Sequence, residues 1–198
     1  MGFDPERHHR RSLRLKGYDY TQAGAYFVTI CTQDRACLFG EVVGDAMRLN
    51  DAGRMVVAEW ERLAKRFPGV ELDAFVVMPN HVHGILVITD PVGAGLVPAH
   101  DGATTRVAPT VGDIVGAFKS RTTVGYIHGV KTRGWPPFRR RLWQRNYYEH
   151  IIRHDESLNR IRRYIAENPL RWHLDRENPQ AVDKDDLWEK LFTQEGSP

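Results

Sequence analysis

Residues 78–88 read Met78-Pro79-Asn80-His81-Val82-His83-Gly84-Ile85-Leu86-Val87-Ile88. An apolar run that follows Pro-Asn predicts a strand opening at His81. Strand side chains alternate between faces, so His81 and His83 share one face and Val82 takes the other. Two neutral imidazoles on one face are a ready pair of metal ligands. A lone strand histidine is ordinarily a packed, hydrogen-bonded side chain; for this pair, beside Asn80, packing and ligation stand about even. A complete metal site needs a third donor from elsewhere in the chain.

Outward from this strand, residues 72–78 predict another, joined to it by the tight Pro79-Asn80 connection and therefore antiparallel. Residues 25–32 (AYFVTICT) form a continuous β-branched and aromatic run, the pattern of a buried strand. Gln33-Asp34-Arg35 reads as a turn, and residues 37–43 and 46–49 as a hairpin around Gly44-Asp45. Asn50 or Asp51 is suited to cap a helix running to about Phe67. Residues 90–109, rich in Gly, Ala and Pro, read as a loop. A second helix is expected from Thr110 or Val111 to about Tyr126, followed by a loose segment marked by Gly125, Gly129 and Gly134. Residues 141–152 (RLWQRNYYEHII) are expected to form a strand. Asp155 opens a final helix with Leu158, Ile161 and Ile165 on its apolar stripe, ending near Asn168 because Pro169 follows. A short helix is expected around Leu187-Trp188 and Leu191-Phe192. The order β, hairpin, α, β-β, α, β, α predicts an α+β fold: a mostly antiparallel sheet covered by helices, of the ferredoxin-like or RNA-recognition type.

The 198 residues carry a net charge of only +3, unevenly spread. Between Gly116 and Ile165 stand Lys119, Arg121, Lys131, Arg133, the run Arg139-Arg140-Arg141, Arg145, Arg153, Arg160, Arg162 and Arg163, against only Glu149, Asp155 and Glu156. Interleaved aromatics (Trp135, Phe138, Trp143, Tyr147, Tyr148) make this the composition of a polyphosphate-binding surface. The N-terminal region adds Arg7, Arg10, Arg11, Arg14 and Lys16, whereas the C-terminal region is acidic. Three parts are therefore expected: a basic arm over 1–24, a domain over 25–172 and an acidic tail over 173–198, which could fold back over the basic groove as a regulator. No run approaches the roughly 18 apolar residues of a membrane span, and the polar, basic start lacks a secretory pattern. Cys31 and Cys37 are too few for a disulfide framework, so a cytoplasmic protein is expected.

The final helix offers the missing donor. Tyr164 and Asn168 are one helical turn apart and share a face. An amide oxygen suits a third ligand position. A phenol beside a bound cation can ionise well below its ordinary value of about 10 and so act as a nucleophile in phosphoryl transfer.

Met78-Pro79-Asn80-His81-Val82-His83 and Arg160-Ile161-Arg162-Arg163-Tyr164-Ile165-Ala166-Glu167-Asn168-Pro169-Leu170 together resemble the REP-associated tyrosine transposases, single-tyrosine members of the HUH endonuclease class. Residues 24–29 and 142–150 also resemble that family, and the match runs from about Arg11 to Trp172. The resemblance implies an HUH endonuclease fold with His81, His83 and Asn168 as metal ligands, Tyr164 as nucleophile, and Mg²⁺ or Mn²⁺ as the cation. Ligand type alone leaves zinc open. It further implies cleavage of single-stranded DNA near a hairpin, leaving a 5′-phosphotyrosine, by a protein acting as a monomer, with a dimer as the alternative. Arg11, Arg14 and Lys16 would grip the hairpin, and Lys119, Arg121 and Arg145 are further candidate DNA contacts; for each, a solvated surface charge is an equal reading. Two other readings stay open. One is a non-catalytic nucleic-acid-binding module on a ferredoxin-like sheet. The other is a small metal-dependent hydrolase in which Tyr164 is structural.

Overall fold

A computed structural model describes residues 23–89, 109–181 and 186–192. The elements are β1 (Gly24–Cys31), β2 (Gly40–Val43), β3 (Ala46–Leu49), α1 (Asp51–Arg66), β4 (Val70–Val77), β5 (His81–Ile88), α2 (Val111–Arg133), β6 (Tyr148–Ile152), α3 (Asp155–Glu167) and α4 (Leu187–Phe192). The main sheet has the order β4-β5-β1-β6 and every neighbour is antiparallel. With β2 and β3 set apart as a separate hairpin, the remaining βαββαβ succession is the expected ferredoxin-like architecture.

β1 and β5 are the central strands and are buried on both faces. Their alternation divides the interior into two clusters. Tyr26, Val28, Ile30, Val82 and Leu86 face one way and pack with Val56, Trp60 and Leu63 of α1 and Ile114, Val115 and Phe118 of α2. Phe27 and Ile85 face the other way, toward Ile161, Tyr164 and Ile165 of α3 and Leu191 of α4. The histidines of β5 share the parity of Ile85 and lie on the second face. Local chemistry sets the helix starts. Asn50 accepts a hydrogen bond from the Gly53 amide at 2.9 Å, and Thr110 and Asp113 form a reciprocal capping box. The β2–β3 turn places Gly44 and Asp45 at φ 55° and 63°, the left-handed pair that a two-residue hairpin requires.

Two expectations are corrected. α2 does not stop near Tyr126 but runs to Arg133, where Gly134 at φ 68° closes it. Two of the glycines expected to mark a loose segment are close-packing positions within the helix: Gly125 faces the Met55 side chain, and the Trp135 indole lies directly against Gly129. Nor are residues 141–147 a strand. Only Tyr148–Ile152 pairs with β1, and the preceding segment touches the sheet through one bridge, Thr32 to Trp143. Its polar backbone is satisfied otherwise. Lys119 Nζ donates to the carbonyls of Gln144, Arg145 and Asn146 at 3.0, 3.4 and 3.2 Å, while Trp143 Nε1 donates to Thr122 Oγ1 at 2.8 Å. The remaining boundaries fall within about two residues of expectation, β2 excepted, which starts at Gly40 because Leu38 and Phe39 donate instead to the Pro79 carbonyl. Arg11, Arg14 and Lys16, the rest of the arm to residue 22, and residues 90–108 lie outside the described residues. No helix among the described residues is long and apolar enough to cross a membrane.

Gly84, on the histidine strand, faces the first cluster. Trp60 stacks on Phe75 with centroids 4.4 Å apart, and a Cβ at Gly84 would collide with that indole. Gly84→Ala is expected to destabilise the fold by ~1–3 kcal/mol, the usual range for overpacking, read as a lower urea midpoint at unchanged slope.

Candidate active site

The register of β1 on β5 sets Thr29 opposite His83 and Cys31 opposite His81. Both imidazoles are fully buried. Each Nδ1 has a partner: Thr29 Oγ1 at 2.8 Å for His83 and Asn80 Oδ1 at 2.8 Å for His81. The Asn80 amide is oriented by its own bonds, since Nδ2 donates to the carbonyls of Arg35 (3.1 Å) and Glu177 (2.7 Å). Its Oδ1 is therefore an acceptor, and His81 Nδ1 carries the proton. That leaves the Nε2 lone pair of His81 aimed inward, where it meets His83 Nε2 at 3.0 Å. Burial lowers the pKa of His81, opposed by the carboxylates of Asp175 and Glu177. Burial lowers that of His83 further, aided by His81 and Arg176. Both rings are neutral at pH 7, the form that ligates metals.

α3 brings the second half of the site. Its apolar stripe is anchored by Ile161 and Ile165 and carries Tyr164 and Asn168 inward, 7% and 1% exposed. Tyr164 Oη lies 3.4 Å from His83 Nε2. The helix is tied to β4 by a bidentate pair: Arg162 Nε and Nη2 donate to Asp73 Oδ1 and Oδ2 at 2.9 and 2.6 Å. Asn168 follows the last helical residue with helical geometry, just ahead of Pro169. Its side chain reaches toward His81, and its Oδ1 is buried without a hydrogen bond.

A third contribution was not read from the sequence. Beyond α3 a 3-10 turn over Trp172–Leu174 returns the chain to the histidines. Asp175 Oδ2 comes to 3.8 Å from His81 Nε2 and is itself buried without a hydrogen bond, while Asp175 Oδ1 accepts the Glu177 amide at 2.6 Å. Glu177 accepts from Arg35 Nε at 3.0 Å and the Cys31 thiol at 3.4 Å, and burial followed by the Glu177 carboxylate pushes that thiol's pKa far up. Asp175 and Glu177 fall within the expected acidic tail over 173–198, and no spacing rule links them to His81. The donor atoms of His81, His83 and Asp175 lie within 4.8 Å of one another. Two inward nitrogens and two unpaired buried oxygens, of Asn168 and Asp175, are costly together unless a cation joins them. Nitrogens bound at right angles, each ~2.1 Å from one ion, would lie about 3 Å apart. The residues present fit a divalent metal.

No family model matches the chain. A Haemophilus influenzae protein of no assigned function is 42% identical over 85% of this chain and 92% of its own length. A candidate REP-associated tyrosine transposase from the same organism is 24% identical over 77% of this chain and 74% of its own length. Among solved structures, a REP-associated tyrosine transposase bound to a REP hairpin superposes with a TM-score of 0.50 and 19% identity, over 81% of this chain and 74% of that one. The fold is that of a REP-associated tyrosine transposase. The resemblance carried by residues 78–83 and 160–170 is thus matched by the architecture.

The candidate DNA-contacting cations are placed differently from one another. Arg145 is exposed. Arg121 donates to Glu59 Oε2 at 2.6 Å between α1 and α2, away from the histidine face. Lys119 is committed to its three carbonyls and lies over the Tyr147 ring, and burial lowers its pKa to about 8. Tyr147 precedes β6, whereas Tyr148 lies within it on the histidine face, beside Phe27. His154 is exposed and His150 is half-buried against Phe192.

Two outcomes follow from this geometry. Thr29→Val removes the oxygen that orients His83, and calorimetric titration with Mn²⁺ is expected to give about 10–100-fold weaker binding. Hydrogen bonds from Arg162 hold the Asp73 carboxyl below its usual range. Their stabilisation is complete above the ordinary aspartate pKa and lost as pH falls through the lowered value. Asp73→Asn should therefore cost less than about 1 kcal/mol at pH 7 and reduce the acid sensitivity of the unfolding midpoint.

Proposed function

We propose that this chain is a metal-dependent, transposase-like nuclease and strand transferase acting on single-stranded DNA beside a hairpin, through a covalent 5′-phosphotyrosine on Tyr164. The observation that carries this reading is Tyr164 Oη at 3.4 Å from His83 Nε2, inside a buried group with His81, Asn168 and Asp175. The hairpin bound by the solved protein of the same fold supports the choice of substrate.

In this reading His81, held in its tautomer by Asn80, and His83, oriented by Thr29, supply two nitrogens, and Asn168 and Asp175 supply oxygens. A divalent cation there, Mg²⁺ or Mn²⁺, would lower the proton affinity of the neighbouring phenol and neutralise charge on the attacked phosphate. Tyr164 Oη forms a bond to phosphorus as the bond from phosphorus to the 3′ oxygen breaks. The phenol gives up its proton and the departing 3′ oxygen takes one. One phosphodiester replaces another, so the link is reversible without an energy source and the 3′-hydroxyl can rejoin it. Tyr164 is 7% exposed and packs edge-on to Phe27 at 6.2 Å, surroundings that would limit water at the phenol and so slow hydrolysis of the covalent link. Because Tyr164 reaches the histidines of its own chain, a monomer suffices. Arg145, with Arg11, Arg14 and Lys16 of the arm, would hold the phosphate backbone; Lys119 and Arg121 would first have to release their present partners.

A His-His-Asp donor set also suits a metal hydrolase, and one experiment separates the two. End-labelled hairpin DNA with a single-stranded flank is incubated with Mn²⁺ or Mg²⁺ and resolved under denaturing conditions. The wild type is expected to form a chelator-sensitive protein–DNA adduct, and Tyr164→Phe to reduce it by at least about a thousandfold. A hydrolase would release product with no protein attached. Absence of the adduct from wild type, or its persistence in the Phe variant, would overturn the proposal.

A further inference from the structure

The chain ahead of β6 leaves the register of the sheet and then regains it. β6 pairs Tyr148 with Thr29, and the bridge beyond joins Trp143 to Thr32. Between those pairs Ile30 and Cys31 of β1 face Gln144, Arg145, Asn146 and Tyr147. The edge chain therefore carries a bulge of two extra residues, a number that preserves the alternation of faces on either side. The base of the bulge is fixed to β1: the Gln144 amide donates to the Cys31 carbonyl at 2.9 Å, and Gln144 Nε2 donates to the Thr32 carbonyl at 3.1 Å. Its crest is held from α2. An ammonium has three donors, and Lys119 gives them to the carbonyls of Gln144, Arg145 and Asn146. Three carbonyl dipoles turned toward one point repel one another unless a cation stands there. The bulge thus exists in this form because Lys119 is beneath it.

What the bulge presents to solvent is Arg145 and Asn146, both exposed. Neither adds to the core, and a regular strand would pair without them. Bulges at sheet edges beside active sites re-aim side chains. Cys31 links this one to the site, since it is bonded to Gln144 on one side and stands opposite His81 on the other. Two strand spacings, about 10 Å, separate the bulge from His81. Among the described residues no ion pair engages Arg145. We propose that Lys119 is a positioning residue: it stays bound to the bulge and holds Arg145 against a phosphate of the DNA strand that passes the histidines. The role deepens the function proposed above and rests on that reading for its substrate. It separates two cations that sequence alone places in one class, Arg145 touching DNA and Lys119 acting through it. Protonation of Lys119 supplies a handle. Burial brings its pKa down to about 8, opposed by Cys31. The Cys31 thiol, whose own pKa is pushed far up, faces it from β1, and the Tyr147 ring faces it from the bulge at 5.3 Å. Its neighbours on α2, Val115, Gly116, Thr122 and Thr123, carry no charge. The ammonium below that pH satisfies three carbonyls; the neutral amine above it has two donors for them, and the bulge loosens.

The test uses the full-length chain without divalent metal and a fluorescein-labelled hairpin oligonucleotide with a single-stranded flank, read by anisotropy. Arg145→Ala and Lys119→Met are each expected to weaken binding about tenfold. The double variant should also bind about tenfold, not a hundredfold, more weakly, because the second change removes what the first has already disabled. Wild-type affinity should fall as pH rises through about 8, and Arg145→Ala should lack that step. A lysine that met a phosphate itself would make the two losses multiply and would lower the salt slope separately from Arg145. Multiplied losses overturn the proposal, as does a wild-type profile that stays flat through pH 8 or an alkaline step that persists in Arg145→Ala. A lysine that merely stabilised the fold would lower the unfolding midpoint without coupling to Arg145. Should Lys119→Met fail to fold, the pH profiles of the wild type and of the surface variant Arg145→Ala decide alone. The adduct assay runs in parallel. An adduct with multiplied losses sinks only the positioning role, and coupled losses without an adduct sink only the catalytic reading.

Discussion

The pairing of β1 with β5 in one register is the constraint on which the rest depends. It sets Thr29 against His83, and the Pro79-Asn80 connection sets Asn80 against His81, so each imidazole has its outer nitrogen bonded and its inner nitrogen aimed at the other. A slip of one residue would turn both histidines toward Trp60 and Phe118 on the opposite face. The apolar alternation of both strands excludes that slip, because Tyr26, Val28, Val82 and Leu86 would leave their cluster together. Hydrophobic burial thereby enforces the placement of two polar rings that are themselves costly to bury.

The site is divided between elements far apart in sequence. β5 supplies nitrogens, α3 supplies a phenol and an amide, and the turn after α3 supplies a carboxylate. Their meeting depends on how α3 sits, and three kinds of interaction fix it: the apolar contacts of Ile161 and Ile165, the Arg162–Asp73 pair, and the anchoring of Glu177 by Arg35, Asn80 and Cys31. The last of these ties the returning chain to the loop that orients His81. Disturbing Asn80 would therefore reach both the tautomer of His81 and the position of Asp175.

Much of this was legible from local pattern. The strand from His81, the caps at Asn50 and Thr110, the hairpin at Gly44-Asp45 and the turn spacing of Tyr164 and Asn168 are short-range features, and each was found where the residues put it. What escaped was decided by tertiary contact. Gly125 and Gly129 suggest a loose segment because their value lies in the neighbours, Met55 and Trp135, that approach them. Residues 141–147 have strand composition, but the carbonyls of Gln144, Arg145 and Asn146 accept from Lys119, a residue on another element. Asp175 and Glu177 carry no periodic signal, and an acidic run is indistinguishable in sequence from a solvated one. The docking of α4 was equally hidden: Trp188 and Phe192 mark an amphipathic turn, but nothing local says which surface it covers.

The central claim is that the phenol of Tyr164 is the atom that takes the DNA. Wild-type chain, hairpin DNA with a single-stranded flank and Mn²⁺ can be allowed to react, digested with protease and nuclease, and the nucleotide-bearing peptide located by mass spectrometry. A 5′-phosphoryl nucleotide on Tyr164 alone is the expected result. A nucleotide on Tyr147, Tyr148 or a histidine, or cleaved DNA with every peptide unmodified, would contradict it.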